Sequence, residues 1–292
     1  MSEINKIAIV TDTNSGMLPG QTDEQGIFVI PMPFVLEGED LKEYINITRE
    51  EFFSRFNEQS TITTSQPSIG DVTELWDNLL ERYDAVIHMP TSSGMSNSFS
   101  TAQSLAKDYE GKVFLVDNKR LSAPLKESAY TAAFLRDQGK SAQEIQAILE
   151  SMANDYSLYF SLTTMQYLKK SGRISPAAAA VGSILKLRPV LHMESAKLSK
   201  FSLPKNIAKA KEIMKDAIAK DLATKFKSYV ENGEMVISVM YANCKEEAEK
   251  FAVEIQEKFP NIPFHGCEPI SMSVSTHTGP DTLAVACTRI LK

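Results

Sequence analysis

The chain has little of what would betray the commoner enzyme classes. Its three cysteines, Cys244, Cys267 and Cys287, lie far from any CxxC spacing. They are expected to be reduced, buried and inert, behaving as small apolar residues. The four histidines are scattered and no ligand cluster accompanies them, so no metal is expected. There is no Walker A stretch and no GxGxxG turn, the two glycine-rich loops that bring backbone N–H groups against phosphates. There is no GxSxG elbow either, which removes the usual way of exposing a catalytic serine on an α/β sheet. Positive charge is in deficit: the net charge of −6 argues against general nucleic-acid binding, which needs a basic surface to neutralise phosphates. No apolar run is long enough to span a bilayer. The start, MSEINKIAIV, has no basic leader before a long apolar run, and a cytoplasmic protein is expected. Internal repeats and low-complexity tracts are also missing.

What remains is an ordinary globular composition. Apolar residues make up 43% of 292 residues, enough for a substantial core in one large domain or two ordinary ones. Ile7-Ala8-Ile9-Val10 is a short continuous apolar run, as in a strand buried on both faces. It stops at Thr11-Asp12-Thr13-Asn14-Ser15-Gly16. In parallel α/β sheets ligands gather beyond the carboxyl ends of strands, so this polar tip reads either as a site wall or as plain capping chemistry. The same strand-then-tip pattern recurs at Ala85–Met89, followed by Pro90-Thr91-Ser92-Ser93-Gly94-Met95-Ser96-Asn97-Ser98, and at Val113–Val116, followed by Asp117-Asn118.

Between them, Ile27 to Val35 is extended but interrupted by Pro31 and Pro33, which suits an edge or irregular strand. Glu37 to Tyr44 reads as a surface hairpin or loop. Thr48 with Glu51, and Ser141 with Glu144, have the spacing of capping boxes. Ser68 is placed to cap an amphipathic helix carrying Val72, Leu75, Leu79 and Leu80. The hydroxyls before Pro67, at Thr61, Thr63, Thr64 and Ser65, exceed what a turn needs, and such a cluster can donate to a carboxylate or phosphate without adding charge. The alternation predicts a three-layer domain over residues 1–157 with a mostly parallel sheet. An α+β domain is expected over 158–292. It contains a strand at Leu158–Leu162, a hairpin at Val190–Leu203, a long helix at Asn206–Val230, a strand at Met235–Tyr241 and a helix at Lys245–Lys258. Pro280 is expected to open a terminal helix.

One stretch, Met165 to Lys200, combines apolar surface with local positive charge. Lys169, Lys170 and Arg173 surround Gly172. Ser175 and Pro176 are suited to cap and start a helix whose body, Ala177 to Leu187, is apolar and built from small residues. Seven basic residues and one acidic residue fall in this stretch of an acidic protein. That combination suits an amphiphilic anion with a long apolar tail.

These pieces, in this order, resemble the DegV family of bacterial fatty-acid-binding proteins, which includes the binding subunits of fatty acid kinase. The resemblance rests on the first strand with Thr11-Asp12-Thr13, on Thr64-Ser65-Gln66-Pro67, and on Ser92-Ser93-Gly94-Met95-Ser96. It continues through Tyr167-Leu168-Lys169-Lys170-Ser171-Gly172-Arg173-Ile174 and Thr276-His277-Thr278-Gly279-Pro280, and so covers nearly the whole chain. Departures are modest: Asn14, Met95, Ser171 and Asp281 replace the usual residues, and none removes a hydroxyl or the imidazole. The resemblance implies two domains with one fatty acid buried between them and its carboxylate near Thr64 or Ser65, Ser93 or Ser96, and His277. Arg173 would lie at the mouth, for a partner kinase or the acyl phosphate. Ala178, Val181, Ile184 and Leu185 are candidates for lining the acyl tunnel. Burying a long chain at ~0.8 kcal/mol per CH₂ yields on the order of 10 kcal/mol gross, ample for retention.

The expected function is therefore non-catalytic. The protein would hold a long-chain fatty acid, with no cofactor and no metal, and present its head to a separate ATP-dependent kinase that makes acyl phosphate for phospholipid synthesis. Transient lipid exchange at a membrane surface fits this role. The competing reading is an esterase or acyltransferase with Ser93 or Ser96 as nucleophile and His277 as base, although no acid is placed by sequence to orient the imidazole. A sugar or nucleotide binder is a further rival. His88, His192 and His265 are expected to be structural or surface residues, Trp76 a packing residue, and Lys169 and Lys170 a solvated face or partner surface.

Overall fold

The structure, a computed structural model, describes residues 6–174 and 187–291. In chain order the strands of the first half are β1 (Ile7–Asp12), β2 (Ile27–Ile30), β3 (Pro33–Leu36), β4 (Glu39–Lys42), β5 (Ile62–Thr64), β6 (Ala85–His88) and β7 (Val113–Leu115). Its helices are α1 (Arg49–Arg55), α2 (Ile69–Leu80), α3 (Ser98–Leu105), α4 (Ala123–Asp137) and α5 (Ala142–Ser151). Strands β2, β1, β6 and β7 lie side by side in that order, all parallel. The run Ile7-Ala8-Ile9-Val10 is continuous because both faces of β1 are covered. Ile7 and Ile9 pack on α4 and α5 through Leu125, Ala129 and Ile145, whereas Ala8 and Val10 pack with Trp76 and Leu79 of α2 and Ala102 of α3. Since side chains alternate along a strand, a two-sided helical cover needs apolar residues at every position.

The second half contributes β8 (Tyr156–Ser161), β9 (Val190–Glu194), β10 (Lys197–Ser202), β11 (Met235–Tyr241), β12 (Phe264–Pro269) and β13 (Leu283–Arg289). They form one sheet in the order β10-β9-β8-β13-β11-β12, antiparallel except for the β11–β12 pair. The expected division at residue 157 thus falls inside β8, which pairs only within this sheet. The described helices here are α6 (Gln166–Ser171), α7 (Ile207–Ala223), α8 (Lys227–Glu231), α9 (Lys245–Lys258) and α10 (Met272–Thr278). One face of the sheet, with Val239, Val285 and Cys287, packs on α7 and α9 through Met214, Ile218 and Phe251. The opposite face, with Leu158, Phe160, Met240 and Ala284, is shared with Ala123 and Met95 of the first half and Leu168 and Val274 of the second. The cavity described below lies against this second face. Among the described residues no helix is long and apolar enough to cross a membrane.

Two expectations are corrected. The long helix foreseen over 206–230 is two helices, because the chain breaks at Thr224 and buries Phe226 in the core. The segment after Pro280 is not a helix but the central strand β13. His277 sits instead in the last turn of α10, a helix capped by the Ser271 hydroxyl on the Val274 N–H and ended at Gly279. Finally, β3, β4 and β5 form a separate three-stranded antiparallel sheet. With α1 it builds a small apolar cluster (Phe34, Leu41, Phe52, Phe56) that reaches Tyr167 of α6 and Met272 of α10. Arg49, at the start of α1, fixes this unit to the large sheet by donating to the carbonyls of Ile270 and Tyr241 at 2.5 and 3.3 Å.

Candidate functional site

A cavity of about 680 Å³ lies between the apolar face of the large sheet and the strand-end loops of the first half. That is within the ~300–1,000 Å³ usual for small-molecule sites. Its floor is apolar: Leu158 and Phe160 from β8, Met240 from β11 and Ala284 from β13. These four share a face because Met240 stands opposite Ala284, and Phe160 opposite Ala284 on the other side. Its roof is polar, made by Asn14 after β1, Thr64-Ser65-Gln66 at the end of β5, Thr91 and Met95-Ser96-Asn97 after β6, and Ser100 and Thr101 on α3. Arg173 and His277 close one side.

The polar roof is held from behind by Asp12. Its buried carboxylate accepts from the Thr91 N–H at 2.7 Å, the Thr91 hydroxyl at 2.8 Å and the Asn14 N–H at 3.0 Å. Asn14 Nδ2 in turn donates to the Thr91 hydroxyl at 2.8 Å, and its Oδ1 accepts from the Ser271 hydroxyl at 2.7 Å, joining the first strand tip to α10. Burial outweighs these hydrogen bonds and raises the Asp12 carboxyl to about 6. This tip serves both as capping chemistry and as a site wall: Asp12 supplies the cap and Asn14 the wall.

Glu43 is the residue sequence reasoning missed. It belongs to the stretch read as a surface hairpin, yet it is fully buried and accepts from the Ser273 N–H at the start of α10. Burial, chiefly, pushes its carboxyl up to about 7. A carboxylate at a helix start satisfies a donor that the helix leaves free, and here it seats a short polar helix that carries His277.

The imidazole of His277 is largely enclosed. Its Nε2 lies 3.0 Å from the Thr64 hydroxyl, and Nδ1 has no hydrogen-bond partner among the described residues. Burial first, and the nearby Arg173 second, lower its pKa to about 4, so the ring is neutral near pH 7. One ring nitrogen is thus spare in either tautomer. The Arg173 guanidinium donates to the Ser171 carbonyl at 2.6 Å, and among the described residues it pairs with no carboxylate. Gly172 ends α6 in the left-handed region at φ 69°, which lets the chain turn Arg173 towards the cavity.

Thr64, Ser65, Ser96, Arg173 and His277 therefore meet around one cavity. Ser93 does not: it is exposed, and its hydroxyl donates to Asp117 Oδ2 at 2.6 Å, outside the lining. The Ser96 hydroxyl lies 2.7 Å from that of Ser98. Neither serine is hydrogen-bonded to His277, whose contact is Thr64. The tunnel candidates Ala178, Val181, Ile184 and Leu185, with the helix foreseen from Ser175, lie outside the described residues. Asn14, Gln66 and Thr101 join the lining without having been named as ligands; Thr101 donates to Gln66 Oε1 at 3.1 Å, tying β5's end to α3.

The hydroxyl loop after β6 also leans on the β9–β10 hairpin. A Cβ added at Gly94 would fall 2.1 Å from the Ala196 carbonyl oxygen. Gly94→Ala is therefore expected to cost about 1–3 kcal/mol, as overpacking does, and to loosen the loop bearing Ser96. Urea unfolding of the variant checks this; an unchanged midpoint would mean that the hairpin yields without cost.

Residues 6–289 match the DegV family, described as one of uncharacterised proteins. The Bacillus subtilis protein DegV is 28% identical over 287 residues, covering 96% of this chain and 98% of that protein. A crystal structure of DegV from Bacillus subtilis, described as a fatty acid binding protein, superposes with a TM-score of 0.83 at 28% identity, covering 98% of this chain and 99% of that one. A DegV family protein from Thermus thermophilus, whose structure is described by its fatty acid binding, gives a TM-score of 0.84 at 25% identity over 98% and 100% of the two chains.

Proposed function

The chain belongs to the DegV family, and we propose that it binds one long-chain fatty acid in the 680 Å³ cavity and presents the carboxylate to a partner kinase. The observation that carries this reading is the division of the cavity into an apolar floor and a hydroxyl-rich side with Arg173 and a neutral, half-satisfied imidazole. An acyl chain on the floor would be removed from water. Its carboxylate would accept from Thr64, Ser65 or Ser96, and from His277 in the tautomer that carries a hydrogen on the spare nitrogen. Hydrogen bonds to an ionised acceptor are the strong ones, and Arg173 adds charge without needing to be buried itself.

The chain supplies no phosphate-cradling loop of the recognised kinds, so phosphoryl transfer is assigned to a separate ATP-dependent fatty acid kinase. A carboxylate oxygen attacks the γ-phosphorus of ATP held by that partner. The new O–P bond replaces the bond to the bridging oxygen, and ADP leaves with the electron pair. The acyl phosphate then serves phospholipid synthesis. In this role the protein is a cytoplasmic, non-catalytic subunit that loads and unloads at membrane surfaces, with no cofactor of its own.

Native mass spectrometry of protein purified from a bacterial host tests the first part. The expected result is a mass excess of one long-chain fatty acid, identified after denaturation. Protein that arrives empty and takes up no added palmitate or oleate would refute the reading.

A further inference from the structure

We infer that Glu43, which lies outside the cavity lining, is a positioning residue for His277: the small β3–β4–β5 sheet grips α10 at both ends and so sets where the imidazole meets a bound carboxylate. This rests on the fatty-acid reading above and adds to it a residue that never touches the ligand. Strands β4 and β5 each pair antiparallel with β3, so they run the same way and end on one side of the sheet. Glu43 follows the last residue of β4, and Thr64 is the last residue of β5. Across β3 these two ends stand two strand spacings apart, about 10 Å. Along α10, Ser273 and His277 are four residues apart, a rise of about 6 Å. With their side chains extended, the two strand ends can therefore reach the two ends of the helix. Glu43 accepts from the Ser273 N–H at one end, and the Thr64 hydroxyl lies 3.0 Å from His277 Nε2 at the other.

Glu43 is itself held in place. Its N–H donates to the Met32 carbonyl at 3.1 Å, and the next residue, Tyr44, turns the chain in the left-handed region at φ 61°. Arg49 ties the same unit to the carbonyls of Ile270 and Tyr241, the first of them just ahead of α10. The Ser271 hydroxyl caps α10 through the Val274 N–H, but Ser271 moves with the helix it caps. Asn14 holds that hydroxyl from the tip of β1. Glu43 adds a second outside point, from the unit that also carries Thr64, and this point fixes the helix relative to Thr64. Water does not compete for the contact, because Glu43 is fully buried. A shift of α10 along its axis would carry the ring away from Thr64 and turn its spare nitrogen from the place where a carboxylate would lie.

A double-mutant cycle with His277 tests this, with palmitate affinity read by displacement of a fluorescent fatty acid. Glu43→Ala is expected to weaken palmitate about tenfold, the scale of one hydrogen bond to an ionised acceptor. In the His277→Ala background the same substitution should change affinity less than about twofold, because no ring is left to misplace. A purely structural role would lower affinity equally in both backgrounds. Hexadecanol, which has the chain without the ionised head, should lose less than about twofold on Glu43→Ala. Glu43→Gln keeps an acceptor of the same reach and should recover most of the palmitate loss, whereas Glu43→Asp, one methylene shorter, should not. If Glu43→Ala fails to fold, Glu43→Asp carries the cycle; unfolding of both would show that the contact serves the fold and overturn the positioning role. Equal losses in the two backgrounds, or undiminished affinity in a folded Glu43→Ala protein, would overturn it while leaving fatty acid binding intact. Undiminished affinity in His277→Ala would also overturn it, by removing what Glu43 positions. Wild-type protein that binds no palmitate would instead overturn the fatty-acid reading itself.

Discussion

Replacing His277 by alanine is expected to lower acyl-phosphate formation with a fatty acid kinase about tenfold or more while the protein stays folded. The two halves of that expectation come from the same hydrogen-bond inventory. The fold asks few hydrogen bonds of the ring: among the described residues its one partner is the Thr64 hydroxyl, its Nδ1 has none, and α10 is ended by Gly279 rather than by the imidazole. Alanine is also a better helix residue than histidine. The ligand, in contrast, would gain a hydrogen bond to an ionised acceptor, worth about 1.5–3 kcal/mol. Keeping the empty ring neutral matters here, since an imidazolium beside Arg173 would repel it, and burial holds the ring's pKa at about 4. Product formation, measured with purified kinase and ATP, and thermal unfolding are read side by side. Undiminished product from a folded variant would refute the assignment; lost product from an unfolded one would show that the ring is structural.

Much of this arrangement was legible in the sequence wherever short-range rules decide it. The run Ile7-Ala8-Ile9-Val10 announces a doubly covered strand, and both capping boxes form as their spacing requires, Thr48 with Glu51 and Ser141 with Glu144. The Val190–Leu203 hairpin and the ending of α6 at Gly172 follow local patterns as well.

What the sequence conceals depends on partners far along the chain. Ser93 and Ser96 stand in one loop, and only Asp117, 24 residues away from Ser93, draws one hydroxyl out of the site. Glu43 looks like a surface acid because nothing nearby accounts for it. Its partner, the Ser273 N–H, is 230 residues distant. The helix that carries His277, Met-Ser-Val-Ser-Thr-His-Thr, has neither the composition nor the periodicity of a helix. It forms because Ser271 and Glu43 satisfy its first donors and Gly279 ends it at φ 88°. The β3–β4–β5 sheet was obscured by Pro31, Pro33 and a three-residue strand too short to show alternation.

Asp12→Ala is expected to give a large loss of stability, about 3 kcal/mol or more, and to release bound fatty acid. The carboxylate satisfies two buried backbone donors, the N–H groups of Thr91 and Asn14, and the Thr91 hydroxyl. Each buried donor left unpaired costs about 1–3 kcal/mol, and the loop they organise forms part of the cavity roof. Urea unfolding at pH 7 measures the first effect; a loss under about 1 kcal/mol would mean that water replaces the carboxylate. The pH dependence separates charge from shape. Burial raises this carboxyl from 3.8 to about 6, so the folded protein holds a proton that the unfolded chain has already released. The stabilisation from that proton is complete below about pH 4 and is lost as pH rises through 6. Between pH 7 and pH 5 it amounts to about 1.4 kcal/mol in favour of the folded state at the lower pH. Glu43, raised to about 7, acts in the same direction, whereas His277, lowered to about 4, loses stability as pH falls below the ordinary histidine value of 6.5. The wild-type profile mixes these effects, so the comparison is with Asp12→Asn, which keeps the shape and cannot titrate. Wild type should gain on the variant by that amount from pH 7 to pH 5. A constant difference between the two would mean that Asp12 titrates alike in the folded and unfolded chains, and that its hydrogen bonds to Thr91 and Asn14 offset its burial in full.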